Sequence, residues 1–126
     1  MDKRTQEWLI QADYDMDTAD YMFQGGRYFY AVFMCHLSIE KALKGMYIEK
    51  LKKVPPKTHN LMYLIDLVEL QLQEEHGKLI IKLNEAHIIT RYPQELNKIS
   101  QTYPKLVAQK FLKGGREILQ WIKQKL

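Results

Sequence analysis

The sequence predicts an all-α fold, an up-and-down bundle of four to five helices in one domain spanning residues 1–126. Three observations predict it. Apolar residues recur at helical spacing through most of the chain. No run shows the apolar/polar alternation of a strand. The breaks fall between the periodic segments, at Gly25-Gly26, Pro55-Pro56, Gly77 and the stretch from Arg91 to Pro104.

The first helix is expected over Lys3 to Gln24. On a helical wheel Trp8, Ala12, Met16, Ala19 and Phe23 fall in an arc of about 80°, which Leu9 extends. A second, narrower stripe carries Ile10, Tyr14 and Tyr21. Two stripes imply two neighbours, one of which could be a second subunit. Gly25-Gly26 ends the helix, because glycine accepts the left-handed cap conformation. The second helix, Arg27 to Lys52, is apolar nearly all round from Tyr28 to Cys35, the pattern of a central helix. Ala31, Ser38, Ala42 and Gly45 form a row of small residues that lets another helix come close. Pro55-Pro56 then sets a loop.

Thr58 or Asn60 can cap a third helix over Leu61 to Gln73. A fourth covers Gly77 to Thr90 and stops at Arg91-Tyr92-Pro93, since a residue before proline disfavours the α region. An irregular stretch follows to Tyr103, and Pro104 suits the first turn of a fifth helix. There Ala108, Phe111, Leu112, Gly115, Ile118, Leu119 and Ile122 share a core-facing arc. Lys105, Lys113, Arg116 and Lys123 fill the neighbouring arc. Short connections make the first helices antiparallel neighbours.

Composition narrows the function classes. At 46 % hydrophobic and 27 % charged, the chain is neither disordered nor membrane-like. No apolar run approaches the roughly 18 residues of a membrane span. The N-terminus has no apolar core of a signal peptide, so a cytoplasmic location is expected. The single cysteine, Cys35, excludes an intramolecular disulfide and a Cys-based zinc site. No P-loop, glycine-rich phosphate cradle or Ser-His-Asp order is present, and neither metal nor cofactor is expected. The net charge of +4 is uneven: residues 104–126 carry +5 and the rest −1. Such a stripe is either a solvated face or an electrostatic footprint for RNA or an acidic partner. The eight tyrosines do not interleave with it as a stacking platform would.

Several segments together resemble one family. Gly26-Arg27-Tyr28-Phe29-Tyr30-Ala31-Val32-Phe33 followed by Ser38-Ile39-Glu40-Lys41-Ala42-Leu43-Lys44 is similar to the second helix of prokaryotic HEPN domains. Pro55-Pro56-Lys57-Thr58-His59-Asn60-Leu61 resembles the loop that follows it, and Arg91-Tyr92-Pro93 the signature after the fourth helix. Helix 1, with Ala12-Asp13 and Ala19-Asp20, is similar to the family's first helix. The resemblance covers almost the whole chain. It implies a stand-alone HEPN bundle, usually dimeric. Many such domains act with a minimal nucleotidyltransferase in two-component pairs, some as toxin–antitoxin systems. Others bind nucleotides or RNA. Many HEPN toxins are metal-independent ribonucleases with an Arg-x(4–6)-His motif. That motif is absent: no histidine follows Arg91, and Arg27 to His36 is too long. Binding is therefore expected ahead of catalysis.

The candidate ligand-binding residues are Lys41, Lys44, His59, His87 and Arg91. The candidate polar anchors are Asp13, Asp20 and Glu40. Glu40 and Lys44 are four apart and can pair on the helix surface, or Lys44 can meet a phosphate as a point charge. His59 can bond a phosphate or anchor its loop on Asp13 or Asp20. Asp13, Asp17 and Asp20 edge helix 1 and are expected to pair with Lys or Arg rather than bind metal. His87 and Arg91 share a face if helix 4 reaches that far. Arg91 then offers its fork to a phosphate, or caps the helix while Tyr92 packs on the bundle.

Overall fold

The structure, a computed structural model, describes residues 1–126. It contains six helices and no strand: α1 Lys3–Gln24, α2 Tyr28–Leu51, α3 Leu61–Leu67, α4 Glu74–Arg91, α5 Leu96–Thr102 and α6 Lys105–Gln124. The all-α class stands, and the expected count of four to five was low by one short helix. α5 occupies part of the stretch expected to be irregular. It is only 7 residues long and buries Ile99 alone, too little apolar recurrence to register as a period. No helix is long and apolar enough to cross a membrane.

Other boundaries moved for local reasons. α3 stops at Leu67 rather than Gln73. Val68 caps it, and Glu69 enters the left-handed region at φ 54° while Leu70 N–H bonds Ile65 C=O. A non-glycine residue in that conformation leaves no sequence mark. α4 starts three residues before Gly77 and extends to Arg91, with Glu74 and Glu75 in its first turn favouring the positive end of the helix dipole. Asp2 caps α1 by accepting from Arg4 N–H, and Asn60 caps α3 by accepting from Tyr63 N–H.

α2 is the centre of the bundle and touches every other helix. Its small residues set the spacing against α1. Ser38 Oγ donates to Ala12 C=O at 2.6 Å and Thr5 Oγ1 to Gly45 C=O at 3.0 Å. On the other side α6 lays Gly115 against Cys35, whose thiol donates to Phe111 C=O at 3.4 Å. Burial pushes that thiol up to about 12, so it stays protonated. Ile39, Leu43, Leu64, Leu83, Leu112 and Ile118 complete the core. Each contributes about 1.5–3 kcal/mol of transfer energy. The apolar start of α2 is consumed inside this core: Phe29, Ala31, Val32 and Cys35 are all buried. Of the rest of that stretch, Tyr30 alone is exposed, at 45 %. The outer stripe of α1 differs, with Ile10, Tyr14 and Tyr21 exposed by 62 %, 72 % and 80 %.

The acidic edge of α1 meets the basic arc of α6. Asp20 pairs with Arg116 at 2.8 Å, and Asp13 with Lys123. Half of the arc read from the sequence is thus turned onto the chain's own carboxylates.

Close approach at Gly115 has a measurable consequence. A Cβ there would overlap the Cys35 sulfur, whereas at Gly114 it would meet only the flexible end of Leu79. Gly115→Ala is expected to lower stability by about 1–3 kcal/mol despite alanine's better helix propensity. Gly114→Ala should cost less, and adding Cys35→Ala should restore part of the Gly115→Ala loss. Urea unfolding of the four proteins reads all of this, and equal midpoints for both glycine variants would refute the contact.

Candidate functional site

One face of α2 organises the polar centre. Phe29, Phe33, His36, Glu40 and Lys44 fall within an arc of about 80°. This face looks toward α4 and the loop after α2, and it carries a charge in a buried place. The Glu40 side chain is 4 % exposed. A carboxylate so placed needs partners. Lys44 Nζ donates to Oε2 at 3.0 Å from one turn along the helix. His59 Nδ1 reaches Oε1 at 2.9 Å from the loop. His36 Nδ1 lies 3.9 Å from the same oxygen.

With Glu40 ionised, His59 donates from Nδ1 and keeps Nε2 free as an acceptor. Its side chain is half exposed, so that nitrogen is accessible. His59 is therefore anchored on Glu40 and not on Asp13 or Asp20, which lie across the bundle pairing with α6. The loop length brings the imidazole back over its own preceding helix.

α4 supplies the opposite wall. Because it extends to Arg91, His87 and Arg91 do share a face. The His87 ring stacks on His36 with centroids 4.3 Å apart, and the His59 ring is 6.2 Å from it. Arg91 places its guanidinium 4.9 Å above the Phe33 ring, a cation–π contact of about 0.5–1 kcal/mol. It does not cap α4, and Tyr92 is 72 % exposed rather than packed on the bundle. Phe33 is a better surface for the flat guanidinium than the helix end. No carboxylate pairs with Arg91, and its Nε is buried without a hydrogen-bond partner. His87 Nδ1 and both nitrogens of His36 are likewise buried and unpartnered.

Four of the candidates converge here with Glu40: Lys44, His59, His87 and Arg91. Lys41 does not. It points to α1, where Nζ lies 2.9 Å from the buried Asp15. His36 was not among the sequence candidates. Its position four residues before Glu40, on the same arc as Phe29 and Phe33, is the signal that a wheel of α2 alone contains.

Burial lowers His36 to about 3, with the neighbouring His87 and then His59 and Arg91 adding to it. His87 is lowered for the same reasons, burial first and then Arg91 and His59. Both imidazoles are neutral at pH 7. Lys44 is paired with Glu40, whereas the Arg91 guanidinium has no carboxylate beside it. A neutral pair of rings, one free imidazole nitrogen and an unpaired guanidinium suit a singly charged phosphate. No group of three or more His, Cys, Asp or Glu side chains is arranged to hold a metal ion.

An unfolded chain protonates His36 near 6.5, the folded chain only near 3. Folded protein binds fewer protons between these values, so stability falls as pH drops through that window. The slope reaches about 1.4 kcal/mol per pH unit. Thermal melts at pH 7 and pH 5 are expected to show a smaller drop in Tm for His36→Met than for the parent protein. Equal drops would mean that His36 is not the acid-labile group.

The comparisons agree with this arrangement at the level of fold. The family model for the HEPN domain matches residues 5–125. TT1696 from Thermus thermophilus superposes with a TM-score of 0.84 at 24 % identity, covering 98 % of each chain. ST0689, an archaeal HEPN homologue, superposes with a TM-score of 0.77 at 22 % identity, covering 99 % of this chain and 98 % of its own. Among curated proteins none matches the sequence. With a family model covering nearly its full length and the bundle to go with it, the chain belongs to the HEPN domain family.

Proposed function

We propose that this protein is a nucleotide- or RNA-binding HEPN module. One observation carries the reading: Arg91 stands unpaired beside His59 and His87, on a wall that Glu40 and Lys44 hold in place. A guanidinium without a carboxylate, in partly desolvated surroundings, favours a phosphate oxygen as its partner. Fluorescence anisotropy with labelled single-stranded RNA and with AMP tests it. Arg91→Ala is expected to weaken binding by about 1.5–3 kcal/mol, the range for a hydrogen bond to a charged group. Unchanged affinity would sink the assignment.

A second reading is metal-independent RNA cleavage at a non-standard site. The proximity of His59 and His87, with a free Nε2 on His59, favours it. His87 precedes Arg91, so this is not the family's usual motif. The RNA used for binding, incubated without metal and run on a denaturing gel, separates the two readings. Intact RNA leaves binding alone. Cleavage that survives both His87→Ala and Arg91→Ala would exclude this pair.

The family resemblance further supports a homodimer that acts with a minimal nucleotidyltransferase in a toxin–antitoxin-like pair, in the cytoplasm. The exposed Ile10, Tyr14 and Tyr21 of α1 supply apolar surface for the second copy. Light scattering is expected to give twice the 15.0 kDa chain mass. On co-expression with an adjacently encoded nucleotidyltransferase it should give a larger mixed particle. A 15.0 kDa monomer in both samples would refute dimer and partner together.

A further inference from the structure

A cavity opens where the Phe29 end of the same α2 face meets α5 and the start of α6. Its volume is about 480 Å³, within the roughly 300–1,000 Å³ of small-ligand sites. Two cations line it, Arg27 and Lys105, and no carboxylate does. Neither side chain forms an ion pair or a hydrogen bond elsewhere in the chain. This sets them apart from Arg116 and Lys123, which α1 neutralises. Asn97 and Ser100 add neutral donors to one wall. Tyr103, 7 % exposed, also lines it, and its hydroxyl makes no hydrogen bond.

The backbone reinforces the charge. α2 and α6, of 24 and 20 residues, both begin at this cavity. Neither has a side-chain cap or an acidic residue in its first turn. Their first N–H groups are left without intrahelical partners, and both positive dipole ends are uncompensated. Side chains and backbone thus ask for the same thing, an anion with several acceptor oxygens.

The cavity is also placed to extend the site already described. Arg91 sits over Phe33, and Phe29 lines the cavity one helical turn away, about 6 Å along α2. We propose that the cavity is a second phosphate subsite, occupied by the neighbouring backbone phosphate of a short single-stranded RNA held at Arg91. This rests on the RNA-binding reading and names its substrate as a strand rather than a mononucleotide.

Anisotropy with fluorescein-labelled octauridylate, and its competition by AMP, tests this on the full chain. The double variant Arg27→Gln/Lys105→Gln replaces two exposed, unpaired side chains, and its circular dichroism melt is expected to match the parent. Octauridylate binding should weaken about tenfold or more, and AMP binding less than about threefold. The slope of log affinity against log salt should flatten by roughly 0.7–1.4, one or two single-strand phosphate contacts. Undiminished octauridylate binding with an unchanged slope overturns the subsite while leaving the Arg91 reading intact. An equal loss for AMP overturns the strand, since the cavity would then hold a lone nucleotide. If Arg91→Ala leaves octauridylate binding unchanged and the double variant weakens it, the Arg91 reading fails and the cavity stands. Absence of any octauridylate binding by the parent protein overturns both.

Discussion

A carboxylate in the middle of a surrounded helix must be compensated where it stands, and Glu40 is such a group. Its two oxygens take two different partners, Lys44 from the same helix and His59 from the loop beyond it. The first contact is local and cheap to form. The second ties a loop across 19 residues of chain to the bundle centre. Breaking either would leave a buried charge half-paired, at a cost of about 3–5 kcal/mol if the pair is lost outright. The loop that carries His59 leads directly into α3, so the Glu40 charge also places α3 against α4. There Asn84 Oδ1 accepts from Leu61 N–H and its amide donates to Asn60. The placement of His59 and of the loop before α3 follows from satisfying one oxygen pair.

That dependence explains what the sequence revealed and what it withheld. The Glu40–Lys44 spacing is a helix-surface rule and could be read directly. The His59 contact could not, because its partner lies on another element and nothing local distinguishes Glu40 from Asp13 or Asp20 as an acceptor. Arg91 was legible as a fork near the end of α4, yet its resting place over Phe33 depends on how α4 crosses α2. The helical arcs of α1 and α6 matched their buried faces, because wide apolar stripes survive any detail of packing. The end of α3 did not, because a left-handed glutamate is set by tertiary contacts rather than by residue type. α5 escaped for a related reason: a helix of two turns between Pro93 and Pro104 has no period to show.

The charge pattern was misleading in bulk and informative in detail. Four basic residues of the last segment, Lys105, Lys113, Arg116 and Lys123, suggested a single basic face. Folding divides them. Arg116 and Lys123 meet the acidic edge of α1 and stitch the first and last long helices together. Such exposed pairs contribute only about 0.2–1 kcal/mol each, so their effect is alignment more than stability. Lys105 remains unpaired at the head of α6, close to Arg27. A net charge of +4 therefore says little, while Arg27 and Lys105 mark a place where field and concavity coincide.

The thiol of Cys35 lies at a close contact between α2 and α6, against Gly115, and is held protonated by burial. Alkylating and oxidising reagents act on exposed thiolate, and the native chain presents none. Chemical labelling of this one sulfur is consequently a clock for the parting of α6 from α2. Its rate under native conditions counts openings of the bundle's core, unmixed with fraying of the shorter helices.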